Sequence, residues 1–294
     1  MQTQTSTMPV SKIYHPLRFR RSTIATIILT SLAIILAVLF IWPFLSVLAW
    51  TLNDVDASMN SLIPIPGRFT LHVYQLMLSR YRFQDYLLNS LWTSIAITIL
   101  STFASALAGF ALAKYQFPGR NILFTIVLAV MLLPLGTMLV PSFIVMRDLG
   151  LVNNYWGLIL PTVGGGAFNI FLMRQFMLGI PTELMEAARI DGANEFRIFS
   201  HIVAPNTKAA MGVVATLVLR GAWNNLLWPQ IIISDNAKQL IMPAIARVNE
   251  LGVADPYARI VTPAAAIVAA IIPLLLYSYT QRYFVSTLTG ALKS

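Results

Sequence analysis

The densest group of ionisable side chains is Glu183, Glu186, Arg189, Asp191, Glu195 and Arg197, crowded into a stretch running from Gly179 to Pro205. Acids and bases are nearly balanced there, and neither cysteine nor a histidine pair accompanies them. The chemistry on offer is charge-matched docking, not metal ligation or acid–base catalysis. A second candidate is Arg220, the lone charge of an otherwise apolar run, followed by Trp223, Asn224, Asn225, Trp228 and Gln230. Aromatic faces and amides are the groups a sugar would meet. A charge at that depth costs roughly 2.5–3.5 kcal/mol on insertion scales, so it has to face a cavity or a partner. Two placements stay open. Arg220 lines a solute path, in which case an acidic sugar or a phosphorylated polyol fits, or it pairs with a carboxylate or carbonyl of a neighbouring subunit while the tryptophans pack or mark the membrane interface. No Gly-Lys dipeptide occurs, so a phosphate-cradling loop for ATP is missing; Gly-x-Ser-x-Gly and His-Glu-x-x-His are missing too. His15, His72 and His201 are scattered, and there is no cysteine. No catalytic, cofactor-binding or metal site is expected in this chain.

The elements that must position these residues are set by composition. Of 294 residues 57% are hydrophobic and 11% charged, against about 25% charged in soluble domains. A bilayer core about 30 Å thick takes roughly 20 apolar residues per helix. Such runs lie near 23–50, 88–112, 121–146, 155–178, 209–230 and 260–283, which predicts an all-α membrane protein of six spans. The first run follows Arg18, Arg20 and Arg21 but is too long for a cleavable signal and is expected to stay as an anchor. With the amino terminus inside, twelve Lys and Arg fall on the cytoplasmic side and seven outside, Arg220 being left within a span. Both termini are therefore predicted cytoplasmic, with 1–22 and 284–294 as cytoplasmic segments around a domain of 23–283. Segments 51–87 and 231–259 then read as outward loops. The net charge of +9 is explained by this asymmetry, because the basic residues do not cluster as a nucleic-acid surface requires. Pro43, Pro134, Pro141, Pro161 with Gly164, Gly165 and Gly166, and Pro273 interrupt the spans and together argue for a bundle with an interior path. A self-contained secondary transporter would call for paired broken helices and intramembrane carboxylates, whereas Asp85 and Asp148 sit at span edges.

The polar stretch reads as helix, turn, helix. Pro181 and Thr182 supply a start, Glu183 and Glu186 sit near the positive end of the dipole, and Gly192 can take the left-handed conformation that stops the first helix. Asn194 can cap a second helix ending before Pro205, with Phe196, Phe199 and Val203 at helical spacing on one face. Such a pair either lies on lipid or is offered to a cytoplasmic partner. Glu186-Ala187-Ala188, Asp191-Gly192-Ala193, Ile202 and Pro205 resemble the EAA loop of permease subunits in ATP-binding-cassette importers. Asn89-Ser90-Leu91, Ala113-Lys114-Tyr115, Pro141, Phe171 to Phe176, Trp223-Asn224, Trp228-Pro229 and Gln281 to Phe284 extend the resemblance to the smaller permease of the maltose-type, carbohydrate-uptake branch.

That resemblance implies a type I importer domain whose EAA loop, 179–208, docks on a cytoplasmic ATPase dimer. Glu186 would pair with a basic residue of the ATPase, Ala187 and Ala188 would allow close approach, and Gly192 would permit the sharp turn. Asp191, Ala193, Phe196 and Phe199 complete the expected coupling surface. It also implies a second permease subunit in a heterodimer, an extracytoplasmic solute-binding protein, lipid around the spans, and ATP with Mg held by the ATPase rather than by this chain. The expected location is a bacterial cytoplasmic membrane. The outward segment from Arg247 to Tyr257 resembles a loop that probes the binding protein. The sequence departs from the family at Ala204-Pro205-Asn206-Thr207-Lys208-Ala209 and in a tail with fewer glycines.

Overall fold

The computed structural model describes residues 23–53, 69–164 and 166–291. Among them every regular element is helical; the predicted cytoplasmic segment 1–22 lies outside the described residues. The first helix, α1 (Thr23–Thr51), carries 29 residues with Pro43 inside it. Ile27, Leu39, Phe40 and Phe44 are all exposed on it, the surface of a helix whose solvent is hydrocarbon. The part up to Val47 forms one compact unit, and Leu48 onward forms a second.

In the second unit α2 (His72–Ser79) leads into α3 (Phe83–Lys114); α4 (Arg120–Met131), α5 (Leu135–Asp148), α6 (Trp156–Gly164) and α7 (Ala167–Leu178) follow. Next come α8 (Glu183–Ile190), α9 (Glu195–Ile198), a π-helical turn (Phe199–Val203) and α10 (Ala204–Asn206). The chain ends with α11 (Lys208–Trp223), α12 (Leu227–Ile232), α13 (Ile241–Leu251) and α14 (Pro256–Ala291). The spine is α3, 32 residues without a proline, about 48 Å at 1.5 Å per residue. It is small-residue-rich, which lets backbones approach. At Gly109 a side chain would stand 2.7 Å from Met173 Cβ and 2.9 Å from the Arg174 amide nitrogen, so α3 and α7 touch nearly backbone to backbone.

Three apolar clusters hang on this spine. The first gathers α3, α7, α11 and the α8–α9 hairpin around Phe110, Met173, Met177, Met185, Phe199 and Val214. The second joins α2, α13 and α14 to the start of α3 through Val73, Phe83, Ile241 and Val261. The third packs α5, α6 and α12 around Met146, Leu158, Trp228 and Ile232.

Three expectations change. Segments 51–87 and 231–259 are not plain loops: α2 and α13 lie in them and bury Val73, Met77, Ile241 and Val248. Three of the predicted spans are not continuous helices. Among the described residues only 26–51, 83–114 and 256–275 form single helices long and apolar enough to cross a bilayer. The other candidates are bent pairs, α4 with α5 at 113°, α6 with α7 at 44°, and the helical run through α10 with α11 at 81°. Their causes are local. Pro134 caps α5 in extended conformation and drives Leu133 out of the helix. Gly166 caps α7, and Thr207 interrupts the third pair at φ −108°. The predicted span 209–230 likewise stops at Trp223, where Asn224 ends α11 and Asn225 takes the Trp228 amide at 3.3 Å to start α12.

Candidate functional site at the helical hairpin

The hairpin is built by backbone chemistry that the residue types dictate. Gly192 has φ +82°, and the Gly192 and Ala193 amides donate to the carbonyls of Arg189 (3.0 Å) and Ala188 (2.9 Å). These bonds close α8 in the manner of a left-handed glycine stop. The Asn194 side chain accepts from the Arg197 amide at 2.9 Å and caps α9. Thr182 precedes α8 without a side-chain cap, contrary to expectation.

The second helix also runs on through Pro205 instead of ending before it. The π turn widens the helix at Phe199–Val203, and the Asn206 side chain and Thr207 hydroxyl donate to the carbonyls of Ile202 (2.6 Å) and Val203 (2.8 Å). That turn splits the predicted apolar face: Phe199 and Val203 are buried while Phe196 is 69% exposed. Ile198 and Met185 take the inner positions instead, against Phe110 and Ala106 of α3.

Outside, the hairpin shows Glu186, Ala187, Asp191 and Gly192, flanked by Phe196 and by Ile190 at 87% exposure. Ala188 and Ala193 are half-buried. A small, acidic surface edged by exposed apolar groups suits a protein groove better than water. Behind it, polar ties bind the hairpin to the end of α3. The Lys114 ammonium donates to the Ile180 carbonyl, and the Tyr115 hydroxyl donates to Glu195. Arg189 grips the same carboxylate with Nε at 3.0 Å and Nη2 at 3.3 Å, its guanidinium 5.8 Å from the Tyr115 ring centre. The Arg189 and Tyr115 hydrogen bonds hold the Glu195 carboxyl below the usual glutamate range. Burial, then the bond to Glu195, pushes the Tyr115 phenol up to about 12. Beside this, Arg174 donates to the Leu112 carbonyl at 3.2 Å and covers the Phe124 ring at 3.9 Å. The sequence placed Arg189 and Glu195 in a docking group but did not join them to Tyr115; the Tyr115–Glu195 juxtaposition spans 80 positions, beyond any local pattern.

The residues proposed for a solute path are only partly brought together. Arg220, Trp223 and Asn224 line a cleft of about 210 Å³ between α11 and α14, with Thr216, Pro273 and Tyr277 opposite or beside them. Arg220 is exposed. The tryptophans, however, spend their indole N–H groups internally, Trp223 on the Ala269 carbonyl at 3.1 Å and Trp228 on that of Gly157 at 3.0 Å. Trp228 belongs to the α6–α12 packing and Asn225 accepts its backbone amide; neither lines the cleft. At the other end of the bundle Asp255 receives Arg80 at 2.9 Å and the Tyr81 hydroxyl at 2.6 Å, and Val253 tips the α13–α14 turn at 97% exposure. Among the described residues no three His, Asp or Glu side chains converge as metal ligands would.

Residues 105–288 match the model of the binding-protein-dependent transport system inner membrane component family. The chain belongs to this family. The permease is 37% identical over 203 residues to the arabinooligosaccharides transport system permease protein AraQ of Bacillus subtilis, covering 68% of this chain and 70% of that one. It is 32% identical over 271 residues to the polygalacturonan/rhamnogalacturonan transport system permease protein YtcP of the same organism, covering 87% and 94%. Its fold superposes on a chain of a bacterial ABC transporter involved in import of the acidic polysaccharide alginate, with a TM-score of 0.77, 24% identity, and coverage of 92% of this chain and 100% of that chain. The chain is thus an inner-membrane permease component of a binding-protein-dependent transport system.

Proposed function

We propose that this permease forms half of a sugar or oligosaccharide path and converts the closure of a separate ATPase dimer into alternating access. The reading has six spans, α1, α3 and α14 as single helices, α4 with α5 and α6 with α7 as bent pairs, and α11, with both termini and the hairpin cytoplasmic. Glu186, Ala187, Ala188, Asp191, Gly192, Ala193 and Phe196 face the ATPase, while Phe199 anchors the hairpin from within. ATP and Mg belong to that ATPase, which a chain lacking a phosphate-binding loop requires. A second permease completes the path and a solute-binding protein delivers the cargo. The observation that carries this is the stiffness of the hairpin: a left-handed glycine turn and a capped second helix, clamped to the end of α3 by Lys114, Tyr115, Arg189 and Glu195. A body so clamped passes push and pull into a membrane-long helix instead of absorbing them in loop motion.

An acidic glycan as cargo is favoured by Arg220 at the cleft and by the polygalacturonan relative, whose substrate is a polymer of sugar acids. Proteoliposomes holding both permeases, the ATPase and the binding protein test both levels. Uptake should require ATP and vanish in Glu186→Arg, and Arg220→Ala should depress uptake of acidic cargo without loss of the chain from the membrane. Uptake without any ATPase contradicts the first level, and unchanged kinetics in Arg220→Ala contradicts the second.

A further inference from the structure

Near the foot of the hairpin two arginines gather at one aromatic ring. Arg174 of α7 lays its guanidinium over the Phe124 ring of α4, 3.9 Å from the centre, and Phe171, one turn back on α7, stacks on the same ring with the centres 6.3 Å apart. Arg120 opens α4 one turn before Phe124, which puts the two on one helix face. Each arginine spends one N–H internally, Arg174 Nε on the Leu112 carbonyl at 3.2 Å and Arg120 Nη1 on the Tyr115 carbonyl at 3.3 Å. Among the described residues no carboxylate pairs with either. The charge that acts on Arg174 is that of Arg120, of the same sign. Both side chains are half-buried, so packing holds two like charges together partly out of water, an arrangement that is unfavourable until an anion joins it. The surroundings say which kind of anion. Neither α4 nor α7 carries a further charge, and α4 buries none of its residues, leaving Ile122, Leu123 and Ile126 exposed just beyond Arg120. In a membrane subunit such a bare apolar surface meets acyl chains. The arginines therefore stand where hydrocarbon gives way to headgroups.

We propose that Arg120 and Arg174 form a binding site for the phosphate of an anionic phospholipid, built around Phe124 between α4 and α7. A guanidinium has five N–H donors and matches phosphate oxygens in pairs, so each arginine keeps donors to offer after its internal bond. Basic pockets between membrane helices take anionic headgroups in this way, whereas a zwitterionic lipid brings a cation of its own to a place that already holds two. The site also touches the hairpin clamp: Tyr115, whose carbonyl receives Arg120, donates its hydroxyl to Glu195. A bound headgroup thus steadies the arginine that holds the Tyr115 backbone. The site requires only that the chain is a membrane subunit, and it is independent of the cargo, of the ATPase and of which face is cytoplasmic.

The test places the assembled importer in nanodiscs of phosphatidylcholine with a minor fraction of phosphatidylglycerol, present in both leaflets, that carries a photoreactive diazirine beside its headgroup. Illumination and peptide mapping should find the label on α4 around Arg120 and on α7 around Arg174, at least about fivefold above the same diazirine carried by phosphatidylcholine. Arg120→Gln should lower this labelling about fivefold, and Arg120→Lys, which keeps the charge, should retain most of it. Equal labelling by the two lipids overturns the proposal, and it is the result that a partner subunit's carboxylate filling the site would give. Labelling unchanged in Arg120→Gln overturns it too. Inorganic phosphate added in excess should leave the labelling in place; displacement would assign the site to a soluble anion and overturn the lipid. Arg174→Gln gives the same reading if Arg120→Gln does not assemble.

Discussion

At Gly192 the backbone sits at φ +82° with no atom within 4 Å of where a side chain would go. Space is therefore not the constraint, and conformation is. Gly192→Val should cost about 1–2 kcal/mol or more through left-handed strain alone, read as a lower unfolding midpoint of the hairpin with insertion intact; a neutral Gly192→Val would mean that the turn is not held left-handed. The Glu195 clamp makes a pH prediction. Its lowered carboxyl pKa means that the ion pair's contribution is complete above the ordinary glutamate value of about 4.3 and is lost as pH falls through the lower folded value. Tyr115, raised to about 12, keeps its contribution complete below the ordinary tyrosine value of about 10 and loses it only on crossing the raised value. A spin label at Ile190→Cys should accordingly report constant hairpin mobility from about pH 5 to 9 and loosening in acid. Because Arg189 and Glu195 are 37% and 52% exposed, Glu195→Gln should cost only about 0.5 kcal/mol. Its larger effect should be on coupling, more ATP hydrolysed per solute moved. An unchanged ratio would assign the clamp to local stability alone.

Among the elements, α3 has the widest reach: it packs on α6, α7, α11 and α13, and its far end holds the hairpin. Gly109→Leu should therefore be far costlier than its position in a small-residue run suggests. The Met173 Cβ at 2.7 Å and the Arg174 backbone at 2.9 Å cannot both yield, and overpacking of this kind costs about 1–3 kcal/mol or more. A thermal unfolding scan in detergent checks it, and a midpoint equal to the parent's would mean that α3 and α7 are not in backbone contact. The elements also show where pattern reading succeeds and stops. The hairpin was legible because its signals are local: Gly192, Asn194 and the acidic first turn each act within four residues. The clamp was not, since Tyr115 and Glu195 meet only after α7 and α8 have folded back on α3. The apolar helices were legible as hydrophobic runs, but the bends at Pro134, Gly166 and Thr207 turn runs into pairs, and hydropathy is blind to direction. Helical spacing grouped Phe196 with Phe199 and Val203, but Phe196 is 69% exposed and those two are buried, so spacing alone did not say which of the three packs inward.

At the scale of the assembly, the proposed reading makes this permease a lever and part of a path, with force and selection left to partners. The 97% exposed Val253 tip and the Arg80–Asp255–Tyr81 cluster at its base lie at the end of α3 remote from the hairpin, a polarity that suits one partner on each side of a membrane. Family membership was legible in the sequence because Glu186 to Ala193 keep their spacing, whereas the cargo was not, because Trp223 and Trp228 carry a sugar-binding composition and yet use their indoles for packing. The most direct measurement uses the absence of cysteine from the chain. A single photo-crosslinking thiol label at Ala187→Cys, in the assembled importer in native membrane vesicles of known sidedness, should attach to the ATPase subunit and be reachable only from the cytoplasmic side. Labelling from the outer side, or attachment to lipid alone in the assembled complex, would contradict the account.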